Sequence, residues 1–251
     1  MSEDQDLSFN DPQPKDYHTK DWGYDMYPER GARYDPGVKK VLMGTAGMEQ
    51  RDKLECESTV FKCIKQSPVV KLLMGAMKSA GCEVDLRRHI SCEVCDSSVT
   101  GGYDPLLNQI VVCQNSAKGM NPVHGTLVHE MIHMFDYCKH KMDFRNIRHL
   151  ACTEIRAANI AHCSYLAGLM HGSVSLVALK QQHAECVADR ATWAVSMVRK
   201  LSYAEARNIV ESVFTRCYND LEPIGRRIKP RSNDAELALS EGVQLGYDHY
   251  L

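Results

Sequence analysis

The segment His129-Glu130-Met131-Ile132-His133 constrains the fold of this chain more than any other stretch of its sequence. In an α-helix, residues four apart lie one turn above each other on the same face, so both imidazoles can reach a single metal ion. Glu130 stands next to the first histidine and faces the same opening, where it can hold a water molecule. The chain must therefore form a helix here with one polar face, as zinc-dependent hydrolases do.

The residues around the motif predict that helix. Asn121 can cap its N-terminus, and Pro122 fits the first helical position, where its missing N–H is not needed. Neither proline nor glycine interrupts residues 126–140. Apolar residues cover most of the helix surface, namely Val123, Leu127, Val128, Met131, Ile132, Met134 and Phe135. In such a buried helix, a metal site explains the two histidines better than hydrogen bonds within a core.

A catalytic zinc site takes three protein ligands and keeps one position open, so a third ligand is required. The metzincin pattern needs glycine at position 136 and histidine at position 139, but the chain has Asp136 and Lys139, and this class is excluded. Asp136 lies about 10 Å along the helix from His129, which suits a ligand poorly. It could instead orient His133 from behind.

A second predicted helix, residues 147–166, offers a better third ligand. Glu154 lies among leucine, alanine and isoleucine residues, where an unpaired surface carboxylate is uncommon. The small residues of this helix would let its backbone approach the first helix closely. Glu154 is the predicted ligand, and a surface ion pair with Arg156 or Arg145 is its alternative role. Three residues remain in reserve as ligands: Asp136, Asp143 and His149.

These two helices also resemble a known family. Residues 127–138 and 148–158 closely resemble the mitochondrial ATP-synthase-processing metalloprotease family, also called the Ku-binding protein homologues. Shorter motifs extend the resemblance over residues 56–230, namely Gly81-Cys82, 89–95, 101–104, 109–115, 185–187, Arg190-Ala191 and Cys217. One departure is His162, where the family leads us to expect a small residue such as glycine.

The resemblance implies an α+β, zincin-like metalloprotease fold that is mostly helical, with a small sheet beside the active-site helix. It implies a zinc-dependent metalloendopeptidase (EC 3.4.24.-) with one Zn²⁺ per chain, in the mitochondrial intermembrane space and peripheral to the inner membrane. The implied polypeptide substrate is ATP synthase subunit a, which the enzyme would process and help to assemble.

The expected chemistry is metal-assisted peptide hydrolysis. His129, His133 and Glu154 are expected to hold Zn²⁺. Glu130 is the expected catalytic residue, which takes a proton from the attacking water and delivers it to the leaving amine.

Two other functions remain open. The resemblance also implies a protease-independent role as an assembly chaperone for ATP synthase, in which the zinc site would be idle. The Ku-binding name suggests a nuclear DNA-repair adaptor. A net charge of −2 gives no reason to expect nucleic-acid binding, and no nucleic-acid partner is predicted.

The chain has 11 cysteines, which indicate metal sites in a reducing compartment and disulfides in an oxidising one. Cys92 and Cys95 could form half of a structural zinc site with Cys82 and Cys113. The resemblance implies the intermembrane space, where disulfides are favoured and where cysteine-driven import replaces a presequence. The N-terminal residues show no presequence. We expect disulfides of undetermined connectivity and, because the count is odd, one unpaired cysteine.

Three parts are expected along the chain: a flexible or peripheral arm at 1–55, the zinc metalloprotease domain at 56–230 and a C-terminal tail at 231–251. With 44% hydrophobic and 25% charged residues, the composition is ordinary for one soluble domain. No apolar run approaches the roughly 20 residues that span a bilayer. Four basic residues near the tail are predicted to be solvated, with a membrane surface as the alternative: Arg226, Arg227, Lys229 and Arg231.

Two strand-like runs, 83–92 and 108–114, are predicted around a turn at Gly101-Gly102. In zincins, a strand beside the active-site helix binds the substrate backbone by strand addition. The predicted substrate-binding residues are Ile110, Val111 and Val112. Further helices are predicted after Ser67-Pro68, at 181–200 and at 202–218, the last with a capping box from Ser202 to Glu205.

Overall fold

The computed structural model describes Val38 and residues 48–140, 142–163, 176–229 and 232–247, and the side chains of 176–180 are not included in that description. Most of the predicted N-terminal arm, the end of the predicted helix 147–166 and Arg231 lie outside the described residues.

The described chain is mostly helical and contains one small sheet, which confirms the α+β prediction. Its elements are α1 (Glu49–Gln66), α2 (Pro68–Ser79), α3 (Leu86–His89), β1 (Ile90–Glu93), β2 (Gly101–Asp104), β3 (Gln109–Cys113), α4 (Met120–His140), α5 (Ile147–Ala157), a π-helical turn (Ala158–His162), α6 (Leu176–Arg199), α7 (Tyr203–Asn219) and α8 (Asp234–Gln244). The motif lies in α4, which begins one residue before the predicted cap, so Asn121 is already helical.

The sheet has the strand order β1-β3-β2, with β1 parallel to β3 and β2 antiparallel to it. Gly101 and Gly102 begin β2, so the prediction that they form a turn is wrong. A Cβ atom at Gly101 would lie 2.3 Å from Cγ2 of Thr126 in α4 and 2.6 Å from the carbonyl oxygen of Val111 in β3. Glycine is therefore required here because β2 approaches a helix and a strand at once.

The chain turns instead between β2 and β3. The Asp104 carboxylate accepts hydrogen bonds from the backbone N–H groups of Leu106 and Leu107 at 2.9 and 3.1 Å, which is the local bonding that favours aspartate in turns. Asn108 completes the turn with a positive φ of 49°, a conformation that asparagine tolerates.

One hydrophobic core, which we call the first core, lies between α1, α2, the sheet, α4 and α8. Its largest fully buried side chains are Leu72, Leu73, Met74, Met77, Ile110, Leu127, Met131, Ile132 and Phe135. Ser67 caps α2 by accepting from the Val70 N–H, and Pro68 occupies the first turn as predicted. The apolar faces of α2 and α4 therefore meet as their sequence periodicity indicates.

A second core lies between α5, α6 and α7. Its buried side chains include Leu150, Ala151, Ile155, Val187, Ala191, Val195, Ala206, Val210 and Tyr218. The predicted capping box at the start of α7 is confirmed, because Ser202 accepts from the Glu205 N–H while the Glu205 side chain binds the Ser202 backbone.

The predicted domain limits do not coincide with the ends of helices. α1 begins at Glu49 and so crosses the predicted boundary at residue 56. α8 belongs to the predicted tail, yet Gly242 lies so close to α2 that an added Cβ atom would meet Leu72 at 2.3 Å. The division into arm, domain and tail stays a prediction.

Five disulfides are present, which confirms the expectation of disulfides. Their pairings are Cys56–Cys92, Cys82–Cys138, Cys95–Cys113, Cys152–Cys217 and Cys163–Cys186. Cys63 is the unpaired cysteine and is buried. Cys82 pairs with Cys138, Cys92 pairs with Cys56, and Cys95 pairs with Cys113, so the alternative of a structural zinc site built from these four cysteines is excluded.

Two of the four basic residues near the tail are engaged rather than solvated. Arg226 forms an ion pair with Glu241, and Arg227 stacks over the Tyr218 ring at 4.2 Å while donating to the Tyr218 carbonyl. The prediction of a solvated basic stretch is therefore wrong at these two positions. In the part of the chain that the structure describes, no helix is long and apolar enough to cross a membrane.

Candidate metal centre

The motif residues converge at the boundary between the two cores. The potential ligand atoms of His129, Glu130 and His133 all lie within 4.8 Å of one another. The Nε2 atoms of the two histidines are 3.0 Å apart, so both imidazoles face one point, as their spacing by one helical turn predicts.

Glu154 of α5 reaches the same point from the second core. Its Oε2 atom lies 3.5 Å from Nε2 of His129, and its Oε1 atom lies 3.5 Å from Nε2 of His133. The carboxylate is buried, so it faces the imidazoles rather than solvent. The alternative pairing of Glu154 with Arg156 does not occur, because Arg156 binds Asp136 instead.

The reserve ligands have other partners. Asp136 is buried behind His133 and accepts from Arg156 Nε at 3.0 Å. At the start of α5, Nδ1 of His149 accepts a hydrogen bond from the backbone N–H of Asp143 at 3.2 Å. Of these four candidates, Glu154 is the residue that the structure brings to both histidines, and its role as the third ligand stays a prediction.

The polar contacts behind His133 determine which of its nitrogens carries the proton. Nδ1 of His133 lies 2.8 Å from the Thr153 hydroxyl, which donates its single proton to Oδ2 of Asp136 at 2.7 Å. With that proton committed, Nδ1 of His133 must be the donor in its contact with Thr153. Nε2 then keeps a lone pair that faces Glu154, which is the form of histidine that binds metals.

Arg156 anchors this chain of contacts. Its guanidinium is buried, pairs with Asp136 and Asp220, and donates to the Glu222 carbonyl at 2.6 Å. A buried cation is tolerated when carboxylates and carbonyls surround it in this way. The predicted role of Asp136 in orienting His133 is thus indirect and runs through Thr153. Sequence reasoning missed Thr153 and Arg156, although both lie on the face of α5 that turns towards α4.

Burial also sets the pKa values of the three motif side chains. Burial, reinforced by the charge of Glu154, raises the pKa of Glu130 to about 7, and His129 and the Tyr103 backbone N–H oppose that rise. Burial lowers the pKa of His133 to about 4, which keeps its imidazole neutral. Burial also lowers the pKa of His129, but the charges of Glu130 and Glu154 outweigh it and leave the pKa above its ordinary value.

The contact between Tyr103 and Glu130 places β2 beside the site. The Tyr103 backbone N–H donates to the Glu130 carboxylate, so this N–H is directed at α4 while the strand pairs with β3 along its other edge. The close packing of Gly101 on Thr126, one turn before Glu130, brings the strand near enough for that hydrogen bond.

The predicted substrate-binding residues lie elsewhere in the sheet. Ile110, Val111 and Val112 are buried in β3, which pairs with β1 on one side and β2 on the other. The prediction of strand addition at these residues is wrong, because a central strand has no open edge. In the described part of the chain, the strand that combines a sheet edge with a contact to Glu130 is β2.

His129 contacts His162, a residue that the sequence marked only as a departure from the family pattern. Nδ1 of His129 lies 3.0 Å from Nε2 of His162, the last residue of the π-helical turn. Partial desolvation of the ring against His129, together with repulsion from the charged forms of His129 and Arg190, lowers the pKa of His162, so its imidazole is neutral although the residue as a whole is exposed.

Comparison with known proteins agrees with this geometry. The profile of the Peptidase M76 family matches residues 54–225. A mitochondrial inner membrane protease ATP23 homolog from Danio rerio is 41% identical over 221 residues, which cover 87% of this chain and 83% of the relative. The homolog from Homo sapiens is 40% identical over 203 residues (80% and 79%). The mitochondrial inner membrane protease atp23 from Schizosaccharomyces pombe is 37% identical over 175 residues (69% and 92%).

No solved structure matches the chain significantly. The family profile spans well over half of the 251 residues and includes both helices that build the site. The chain therefore belongs to the Peptidase M76 family.

Proposed function

We propose that this protein is a zinc-dependent metalloendopeptidase of the mitochondrial intermembrane space, peripheral to the inner membrane. The observation that carries the proposal is the convergence of His129, His133 and Glu154 on one point with Glu130 beside them. Membership of a peptidase family supports the activity, and the names of the relatives support the location.

The residues at the site fit a zinc ion. Two imidazoles and one glutamate form the ligand set of several catalytic zinc sites, which leave the fourth position to water or substrate. The unprotonated Nε2 of His133 and the buried Glu154 carboxylate would otherwise face each other without a shared proton. When bound, zinc polarises a carbonyl group and makes water acidic enough to attack it near neutral pH.

Glu130 then moves the proton. Its carboxylate accepts a proton from the attacking water and delivers it to the nitrogen of the leaving amine. Without the charge of a metal ion, burial raises the pKa of Glu130 to about 7, which is near the operating pH at which a general base works best. The Tyr103 N–H holds the carboxylate in place from β2.

The edge of β2 is where we place the substrate backbone. It is the strand that contacts Glu130, and an extended peptide added along it would pass directly over the candidate centre. Strand addition binds main-chain groups, so the side chains of the substrate would be selected elsewhere.

We propose ATP synthase subunit a as the client, on the strength of the resemblance of residues 127–138 and 148–158 to the ATP-synthase-processing family. Five disulfides in one chain support an oxidising compartment such as the intermembrane space. N-terminal sequencing of mitochondrial proteins should show an uncut leader on subunit a in cells that carry Glu130→Gln. A correctly cut leader in those cells would contradict the choice of client.

The activity itself is tested on the purified full chain. Glu130→Gln should retain one zinc per chain and lose about 10²–10⁴-fold in peptide hydrolysis, because the proton acceptor is gone while the ligands remain. Glu57→Gln, the same change at an exposed position on α1, should leave both quantities unchanged. Full activity in Glu130→Gln would overturn the mechanism. If ATP synthase still assembles in cells that carry Glu130→Gln, the chaperone role is favoured.

A further inference from the structure

The two histidines of the motif have different groups behind their Nδ1 atoms. A metal-ligating histidine usually donates its second ring N–H to a carboxylate, a backbone carbonyl or water. At His133 the acceptor is the Thr153 hydroxyl, backed by Asp136. At His129 the group 3.0 Å from Nδ1 is Nε2 of another imidazole.

The proton count identifies the direction of this hydrogen bond. If Nε2 of His129 is to face a metal, its proton must lie on Nδ1, and Nδ1–H then donates to Nε2 of His162. His162 serves as acceptor only as a neutral ring with its own proton on Nδ1. The two ring centroids are 4.9 Å apart, so the rings are in contact as well as hydrogen bonded.

The π-helical turn determines where His162 points. The backbone N–H of Cys163 donates to the Ala158 carbonyl at 3.0 Å, five residues earlier, instead of to the residue four earlier as in an α-helix. One extra residue in a turn redirects the following side chains by about 100° relative to a regular helix. Glu154 before the turn and His162 at its end can therefore both face the groups of α4.

The end of this turn is fastened to α6. Cys163 forms a disulfide with Cys186, and its carbonyl oxygen accepts a hydrogen bond from Nε2 of His183 at 2.9 Å. His183 is itself held by the Tyr218 hydroxyl, 2.8 Å from its Nδ1. The residue after His162 is thus fixed both covalently and by a buried hydrogen bond.

We propose that His162 is a positioning residue that holds His129 in the orientation and tautomer that bind the metal, and that the Cys163–Cys186 disulfide keeps His162 in reach. The role of His162 rests on the proposed zinc site. A metal-ligating imidazole needs an acceptor behind its second nitrogen, and this chain supplies one to His129 at His162.

The test measures zinc affinity by competition with a chromophoric chelator on the full, disulfide-bonded chain. His162→Gly should weaken zinc binding about 10–100-fold, the usual effect of losing a group that supports a ligand. His162→Gln should stay close to the wild type, because its amide oxygen reaches roughly where Nε2 of histidine lies. His140→Gln, at the exposed end of α4, is the matched control and should change nothing.

A second readout follows the His129 ring directly. Nitrogen-15 NMR of the zinc-loaded protein should show a hydrogen-bonded Nδ1–H of His129 that exchanges slowly with solvent in the wild type and in His162→Gln, and an Nδ1–H that exchanges faster in His162→Gly. Wild-type zinc affinity together with an unchanged exchange rate of the His129 Nδ1–H in His162→Gly would overturn the proposal. Equal losses in His162→Gly and His162→Gln would also overturn it, since the acceptor would then be irrelevant.

The disulfide is tested by the double variant Cys163→Ser, Cys186→Ser, which should weaken zinc binding in the same direction as His162→Gly. The pair Cys95→Ser, Cys113→Ser removes the disulfide that joins the end of β3 to the segment after β1, and it should leave the zinc affinity of the folded protein unchanged. Wild-type affinity in the first pair would overturn the role of the disulfide. Failure of the wild type itself to bind zinc would instead overturn the proposed function.

Discussion

The two cores of this molecule contribute to one site by different physical means. The first core positions α4 by burying apolar side chains such as Leu73, Leu127 and Met131. The second core positions α5 against α4 through buried polar groups, chiefly Thr153, Arg156 and the Glu154 carboxylate itself. Apolar packing tolerates small shifts, whereas a chain of hydrogen bonds defines ring orientation and proton position, which is what a metal ligand requires.

The largest expected effect is a difference in zinc binding between variants of two carboxylates, Glu154 on α5 and Asp136 on α4. Glu154→Gln should weaken zinc binding more than about 100-fold, because it removes a ligand rather than a group behind one. Asp136→Asn should weaken it less, since Asp136 acts on His133 through Thr153. Metal content after dialysis against a chelator compares the two variants directly, and a larger loss in Asp136→Asn would reverse the assignment.

In the first core, a cavity should lower the stability of the fold and leave the zinc affinity of the folded protein unchanged. Leu73→Ala in α2 should lower the free energy of unfolding by about 2–5 kcal/mol, because the side chain is fully buried. The folded fraction should still bind zinc with wild-type affinity. Chemical denaturation and a zinc titration test this, and a large loss of affinity in the folded protein would show that the two regions are not separable.

In the second core, loss of one hydroxyl group should change the zinc affinity more than the stability of the fold. Thr153→Val keeps the shape of the side chain but removes the partner of His133 Nδ1, so zinc affinity should fall about 10–100-fold. Thr192→Val is the matched control, because Thr192 is equally buried and its hydroxyl only donates to the Ala188 carbonyl. Equal zinc affinities in the two variants would contradict the proton count at His133.

The smallest expected effect concerns pH. Burial lowers the pKa of His183 in the second core and of His124 in the first. The unfolded chain therefore binds protons more readily than the folded one, so each histidine costs stability as the pH falls below its unfolded pKa of about 6.5. Melting temperatures at pH 7.5 and 5.5 should differ less in His183→Gln and His124→Gln than in the wild type. An unchanged difference in both would contradict these assignments.

The parts of the site that depend on helical periodicity were predictable from the sequence. His129, Glu130 and His133 lie together because of their spacing on one helix, and Glu154 was identified by its place among small apolar residues. The parts that depend on contacts between distant segments were not. Arg156 pairs with Asp136 and Asp220, and no local pattern in the sequence indicates either pairing.

The sheet shows the same limit. Gly101 and Gly102 have the local signature of a turn, and only the approach of Thr126 and Val111 reveals why a strand needs glycine there. Strand order likewise depends on which strands pair, so the proposal of β2 as the substrate edge could not be made from the sequence. His162 stood out as a departure, but its contact with His129 depends on a π-helical turn that periodicity does not indicate.

The most direct test of the central claim is zinc-edge X-ray absorption spectroscopy of the zinc-loaded, full-length protein. We expect one zinc per chain with nitrogen and oxygen ligands only, at about 2.0–2.2 Å, from His129, His133 and Glu154. The imidazole signal should persist in Glu130→Gln. A sulfur ligand at about 2.3 Å, or a protein that takes up no stoichiometric zinc, would contradict the account.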